Sequence, residues 1–493
     1  MIMRALFVVP PWSFKDTHMA ELQENVAGLT APTGILYLAA CAREAGHEVK
    51  AIDGALCALP QMLREINSYN PDFLGISVVT MLWHHAKLLI TEAKKQNPNL
   101  FIAVGGPHPT ALMEKSLQEC SELDAIVYGE GEQTIVELLN ALEKRKSLAD
   151  VRGIIFRDGG KIIRTQMRPL LQDLDSLPYP AFDLIDLHNY RPSIGHYRRL
   201  PSGELVMSRG CPMNCIFCSK ITGRTIRTRN PIKVADELEF YIQKYGIKEV
   251  KFWTELFTYD KKNVIETCNE FRKRKFDITW SATARVDSID KEMLLAMKRA
   301  GCWYLQFGIE SGVQKNLNTL RKGTTPERVE KALKLTHSLG LKSFCTFILG
   351  IPGETYEEAL QTIEFACKLN PFYAEFFPLT PLPGTDLYDN IDKYGKLIGD
   401  IDRLTMHHVS FVPYSMTKEQ IEFLRTYAFK RFYSRPRYIL SRIASLRSPQ
   451  DIYISFKGLQ ALLEMIRSKP SEAAEQVSEA KRDLLTDREI EQA

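Results

Sequence analysis

The chain has 493 residues, enough for two or three domains with full cores, and its hydrophobic content of 45% and charged content of 25% are those of a soluble globular protein. A net charge of +4 is small for this length and gives no reason to expect a nucleic-acid partner. No apolar run reaches membrane-spanning length, and the opening MIMRALFVVPPW lacks a signal peptide's apolar core and cleavage site, so the sequence predicts a reducing, cytoplasmic setting in which thiols stay free to bind metal.

From Met1 to Lys146, short apolar runs alternate with helix-spaced segments. Ala5 to Pro10, Glu48 to Asp53, Phe73 to Val78, Phe101 to Gly106 and Ala125 to Gly129 read as buried strands, with helices from Pro32, Pro60, Leu82, Pro109 and Glu132. Such alternation predicts a parallel sheet covered on both faces, with ligands at the carboxyl ends of its strands. Those ends carry Pro10 and Pro11, Ser77 to Thr80, Gly105-Gly106-Pro107-His108 and Gly129-Glu130-Gly131-Glu132. Glycines there let the backbone approach a large ligand, and the helix N-termini that follow can receive a phosphate; taken singly, each glycine can equally just end its strand.

The stretch Val151 to Thr165, VRGIIFRDGGKIIRT, is a hairpin signal that closes this first domain, and the Pro-rich run to Leu200 reads as an extended linker, part of which can line a site. A second series of strands follows at Glu204 to Ser208, Glu249 to Trp253, Ile278 to Ala284, Tyr304 to Ile309, Ser343 to Leu349 and Ala374 to Leu379, each pair separated by an amphipathic helix. Six such units cannot close an eight-stranded barrel, so an open partial barrel is expected, with its chemistry at the C-terminal strand ends.

At the first of those ends lies MSRGCPMNCIFCSK, where Cys211, Cys215 and Cys218 are spaced C-x3-C-x2-C. A structural zinc site takes four protein ligands, and no fourth Cys or His lies nearby. A three-thiolate iron–sulfur cluster fits better, because one iron is left open for another ligand. Disulfide and buried-thiol readings are weaker, since the other seven cysteines have no framework spacing.

The cysteine spacing, with Phe217 ahead of the last thiol and a six-unit partial barrel after it, resembles the radical S-adenosylmethionine (SAM) superfamily. The segments PTGILYLAACAREAGHEV, VGGPHPT and YGEGE resemble the cobalamin-binding domain of that superfamily's cobalamin-dependent branch, and the similarity runs from about Met1 to Tyr388. It implies an α/β chain with a doubly wound, Rossmann-like cobalamin-binding domain (1–146), a hairpin and linker (147–200), a partial (β/α)6 TIM barrel (201–388) and a C-terminal helical region (389–493). It further implies that Cys211, Cys215 and Cys218 hold a 4Fe–4S cluster whose free iron chelates SAM. Arg285 in SATARVD would offer donors to the SAM carboxylate, Glu310 in FGIESG would accept from the ribose hydroxyls, and the backbone from Phe347 to Gly350 would run beside the adenine. The plain alternative for Arg285 and Glu310 is a structural ion pair. Thr254 and Glu255 stand where relatives often carry two acidic residues, which puts their role in doubt.

For cobalamin, the resemblance points to Ser77, Thr80, Gly105, Gly106, His108, Gly129 and Glu130. The D-x-H-x-x-G motif of another cobalamin-binding group is absent. Asp16-Thr17-His18 begins like it but has no glycine at the third position after His18, and the radical SAM branch commonly binds cobalamin without a histidine ligand. His84 and His85 read either as residues approaching the lower cobalt face or as polar positions at a helix start.

Further on, Thr417 is placed to cap a helix, and Lys430, Arg431, Arg435, Arg437 and Arg442 interleave with Phe429, Phe432, Tyr433 and Tyr438 without an intervening acid. Two readings follow: an amphipathic surface resting on an anionic membrane, or a helical cap packed on the barrel with solvated arginines. From Ser471 the charged, polar stretch reads as a solvated helix or frayed tail. The resemblance implies a radical SAM enzyme using a 4Fe–4S cluster and cobalamin, in the first place a C-methyltransferase, served by an electron donor such as flavodoxin or ferredoxin. A cyclase or rearrangement enzyme with the same cofactors is the alternative, and a non-catalytic cobalamin or redox sensor the alternative of another class. Aromatic and apolar residues around 179–199 and Phe376 to Pro383 lean toward a hydrophobic natural-product or lipid substrate.

Overall fold

The computed structural model describes residues 2–13, 28–193, 195–444 and a few positions between 452 and 460. Asp16-Thr17-His18 and the stretch from Ser471 lie outside the described residues.

The first sheet is built from β1 (Arg4–Val9), β2 (Glu48–Asp53), β3 (Phe73–Ser77), β4 (Phe101–Gly105) and β5 (Ala125–Val127), parallel in the order β2-β1-β3-β4-β5. Its helices are α1 (Thr33–Glu44), α2 (Leu59–Tyr69), α3 (Trp83–Gln96) and α4 (Glu132–Glu143). The period-2 alternation of β1 explains the two layers. Ala5 and Phe7 pack with Ile35, Leu36 and Leu138, whereas Leu6 and Val8 pack with Met62, Leu89 and Ile90 on the opposite face. The single helix expected from Pro109 is instead two short ones, Pro107–Leu112 and Glu114–Gln118, because Met113 takes a φ of +47° and breaks the ladder. The hairpin β6 (Ile154–Asp158) and β7 (Lys161–Arg164) turns at Gly159 and Gly160 and adds two antiparallel strands to the edge beside β5.

The second sheet is wholly parallel. Its strands are β8 (Ser202–Leu205), β11 (Glu249–Phe252), β12 (Thr279–Ala284), β13 (Cys302–Glu310), β14 (Lys342–Leu349) and β15 (Tyr373–Pro378), in that spatial order. Between β8 and β11 a small antiparallel pair, β9 (Ser208–Arg209) with β10 (Arg227–Thr228), pinches the cysteine loop at its base. The crossover helices are α5 (Pro231–Tyr245), α6 (Lys261–Lys273), α7 (Lys291–Arg299), α8 (Pro326–Ser338) and α9 (Tyr356–Leu369). Since β8 and β15 do not pair, the barrel is open along one side. At its β8 edge the Thr33 hydroxyl, at the start of α1, donates to Glu204 at 2.8 Å.

The C-terminal region caps the barrel. Helix α10 (Lys418–Tyr433) begins with a capping box, in which Thr417 Oγ1 accepts from Gln420 N and Gln420 Oε1 accepts from Thr417 N, and α11 (Pro436–Ala444) follows. Ile421, Leu424, Ala428 and Phe432 are fully buried, and Phe429 packs edge-on against Phe376 of β15 at 5.5 Å. Arg431 forms a two-pronged pair with Glu364, and Arg442 lies over the Phe372 ring. Phe432 and Tyr438 therefore face the barrel. Among the described residues, no helix is long and apolar enough to cross a membrane.

Candidate functional site

The cysteine loop leaves β9 and is tied down by main-chain bonds from Cys211 N to Gly223 O, Ile216 N to Leu320 O and Cys218 N to Cys215 O. Cys215 is buried, Cys211 half-buried and Cys218 exposed, and all three are free thiols. Thr254, at the end of β11, accepts from Met207 N at 3.2 Å, and its carbonyl accepts from the Thr283 hydroxyl at 2.6 Å. Thr254 thus anchors the strand that carries the cysteines, while Glu255 is exposed. Among the described residues, no group of three or more His, Cys, Asp or Glu side chains is gathered tightly enough for one metal ion. Three thiols on one pinned loop, with no fourth protein ligand in the motif, suit a multi-iron cluster with one open iron better than a four-ligand zinc site.

An irregularity in β13 and the return loop after it bring acidic and basic groups toward this loop. A register shift between Gly308 and Glu310 in β13, together with a φ of +68° at Glu310, turns the Glu310 carboxylate to accept from Lys322 Nζ at 2.6 Å. A Cβ on Gly308 would lie 2.3 Å from that carboxylate, so a larger residue there would displace the pair from its present position. Arg285 donates to Asp287 and, at 2.8 Å, to the Lys322 carbonyl. Burial raises the Cys215 thiol above its ordinary range, the charges of Lys322 and Arg285 pull it down, and Glu310 pushes it up again, which places all three beside the loop. Lys322 was not singled out by the sequence reading; its only signal is a basic residue in the TLRKGTT return loop. Phe347 turns its ring outward against Phe376 at 5.3 Å and presents only main chain to the interior.

At Gly350 the turn is held by Glu354, which is fully buried and accepts from Gly350 N at 2.8 Å, Ile351 N at 3.1 Å and Asn316 Nδ2 at 3.0 Å. Burial outweighs these donors and pushes its carboxyl up to about 8, against an ordinary 4.5. The folded chain then holds a proton that the unfolded chain releases. The stability this contributes is full below about pH 4.5 and is lost as pH rises through about 8, with a slope of at most about 1.4 kcal/mol per pH unit. Urea midpoints measured across that window should fall with pH in the wild type, and the fall should be shallower in Glu354→Gln.

The first sheet offers different chemistry. Ser77, Gly105, Gly106 and Gly129 are half-buried at the strand ends, Thr80 is buried, and a Cβ on Gly129 would meet open space. Accessible main chain of this kind suits a large ligand packed against backbone. His108 sits behind that edge, fully buried and stacked on Trp83 at 4.8 Å. Neither of its nitrogens has a hydrogen-bond partner among the described residues, and burial lowers it to about 4, so it is neutral. His84 and His85 are half-buried on the first turn of α3.

Glu130 is engaged by neighbours from the barrel side. Its carboxylate accepts from Arg209 at 3.1 Å, from Arg227 at 2.8 Å and from Leu171 N at 2.7 Å, while Arg209 also reaches Glu132 at 2.6 Å. Behind this clasp Arg229 pairs with Glu237 and with Asp175, the latter at 3.0 Å. The strand-end loop of the first sheet is thereby fastened two residues ahead of Cys211.

Comparison with known proteins agrees with this arrangement. The radical SAM superfamily model matches residues 205–366 and the B12 binding domain model residues 22–139. An uncharacterized methyltransferase from Pyrococcus horikoshii, PH0819, is 36% identical over 90% of this chain and 95% of its own length. The anaerobic magnesium-protoporphyrin IX monomethyl ester cyclase of Rubrivivax gelatinosus is 30% identical over 79% of this chain and 70% of its own. The solved structure of the cobalamin-dependent SAM radical enzyme OxsB, with aqua-cobalamin and SAM bound, shares the fold at a TM-score of 0.70 and 18% identity, covering 98% of this chain and 75% of that one.

Proposed function

The chain belongs to the radical SAM superfamily, in the branch that carries a B12-binding domain, and on that premise we propose that it methylates an unactivated carbon. The observation that carries the proposal is the fastening of the cysteine loop, through Arg209, to the strand-end loop of the B12-binding domain at Glu130 and Glu132. When bound, the cluster with SAM supplies a hydrogen-abstracting radical and cobalamin supplies a methyl group. Cys211, Cys215 and Cys218 would hold the cluster, and an electron donor such as flavodoxin or ferredoxin would reduce it. Arg285 is suited to bind the SAM carboxylate, Glu310 to accept from its ribose hydroxyls, and Lys322 to hold the Glu310 carboxylate in place. The main chain at Ser77, Gly105, Gly106 and Gly129 would carry cobalamin. A cytoplasmic location belongs to the same proposal, because the thiols must stay reduced to bind iron.

Anaerobically reconstituted protein should form S-adenosylhomocysteine together with 5′-deoxyadenosine in turnover. Formation of 5′-deoxyadenosine alone would favour the second reading, cyclisation, which the similarity to the Rubrivivax gelatinosus cyclase supports. Glu310→Gln removes one charge-assisted hydrogen bond, so SAM affinity measured by equilibrium dialysis should fall by about 10- to 100-fold.

Among the described residues, the basic C-terminal region offers a candidate contact with an anionic membrane at the face of α11 bearing Ile439, Leu440 and Ile443, which are 45%, 66% and 60% exposed beside the exposed Arg437. Sedimentation with phosphatidylglycerol vesicles should be lost in Leu440→Asp.

A further inference from the structure

The inner wall of the barrel carries charge that the cluster and SAM do not use. Alternation along the strands sends Val250, Phe252 and Phe376 outward and turns Lys251, Gln306 and Glu375 inward. At the N-terminal end of the strands His196 is wedged against Phe344, Tyr304 and Tyr373, with ring centroids 4.8, 5.9 and 6.5 Å apart, and closes the floor. At the other end Trp253 is 55% exposed, and the Lys251 ammonium lies 4.2 Å from its ring centroid.

Among the described residues, no hydrogen bond or ion pair reaches the side chains of Lys251, Gln306 or Glu375. All three retain accessible surface. Desolvation nevertheless pushes the Glu375 carboxyl up to about 7 and the Lys251 ammonium below its ordinary range. The barrel is open along one side, and inward-facing side chains that keep accessible surface line the hollow inside it. A hydrocarbon entering that hollow would strand an ammonium, a carboxylate and an amide without partners. The occupant therefore needs polar atoms of its own. Its charge is also constrained, because the wall is of mixed sign: the acids Glu204 and Glu375 stand with the bases Lys251 and Arg425, the latter donating to the carbonyls of Phe376 and His407. An ionic group of either sign would meet a like-signed neighbour there.

We propose that the hollow receives the polar end of an amphipathic substrate, and that this end is uncharged and hydroxyl-bearing, donating to Glu375 and accepting from Lys251 while Trp253 covers the adjoining apolar part. The inference rests on the radical SAM reading only in taking the barrel mouth as the reaction site.

Three probes with a common octyl chain test it on the anaerobically reconstituted full chain: octyl glucoside, octanoate and octyltrimethylammonium, each below its micellar concentration. Binding is read as the change in tryptophan emission that is missing in Trp253→Phe. Octyl glucoside should bind saturably, about tenfold or more tighter than either ionic probe, and Lys251→Met and Glu375→Gln should each weaken it by about tenfold. The proposal is overturned if an ionic probe binds as well as the glucoside, if both variants with full iron content bind it unchanged, or if no probe perturbs Trp253. The ranking of the three probes on the wild type needs no variant to fold. Absence of 5′-deoxyadenosine from wild-type protein with an intact cluster would instead defeat the radical SAM reading and leave the binding result standing.

Discussion

Replacing Cys215 with alanine should abolish reductive SAM cleavage, with 5′-deoxyadenosine falling below detection and cluster iron lost. The expectation follows from where the thiol sits. Cys215 is the buried member of the loop, beside Ile216, which is 1% exposed and packs with Leu320, Ile348 and Leu387. Two remaining thiols leave an iron corner without a protein ligand. Treating the wild type with an iron chelator should reproduce the loss. Cys268 is the control: it is 1% exposed inside the core formed with α6, so Cys268→Ala removes packing and should retain iron and SAM cleavage. Iron and sulfide content with product analysis on the three proteins separates a ligand from a buried thiol.

The largest effect on stability is expected at Arg229. Its guanidinium pairs with Glu237, whose residue is only 1% exposed, and with Asp175 at 3.0 Å; the Tyr241 hydroxyl also donates to Glu237. Arg229→Met would leave a carboxylate deep in the interface without its cation, which for buried pairs costs about 3–5 kcal/mol. Removing both charges, in Arg229→Met with Glu237→Leu, should recover a large part of that loss, because the uncompensated ion is then gone. Urea midpoints of the wild type, the single and the double variant test this directly. A single variant as stable as the wild type would show that the pair carries no structural weight.

The elements that were legible in the sequence are those whose signal is local. The strands are mostly buried, so β1 and β14 read as largely apolar segments, Ala5 to Val9 and Phe344 to Leu349 with only Thr346 polar, whichever core they enter. The three cysteines share one loop, and their spacing carries the chemistry with no tertiary information. Thr417 was legible as a cap for the same reason, since its partner is Gln420. What the sequence could not reveal depends on distant meetings. Glu130 and Arg209 are 79 residues apart, and neither has a neighbour in the chain that hints at the other. Lys322 becomes visible only when the return loop after β13 folds back over the cysteines. The split at Met113 is a matter of one backbone angle in a segment whose apolar spacing suits a single helix. The aromatic run from Phe429 to Tyr438 was ambiguous because periodicity records that a face is apolar and not what covers it; β15 and α9 supply the cover.

The hydrogen bond from Thr33 to Glu204 has a consequence for modularity. One carboxylate oxygen of Glu204 accepts from this hydroxyl, and the other is buried with no partner among the described residues. The barrel's edge strand is thus finished by a side chain that the N-terminal domain contributes, much as a missing stave is replaced by an adjoining wall. A barrel expressed alone, or grafted behind the B12-binding domain of a relative, inherits an unfinished edge. Such a chimaera is expected to need three features imported together: a hydroxyl at position 33 and the acids at positions 130 and 132 that meet Arg209 and Arg227. In this chain the barrel and the B12-binding domain thus behave as one unit joined at its seam.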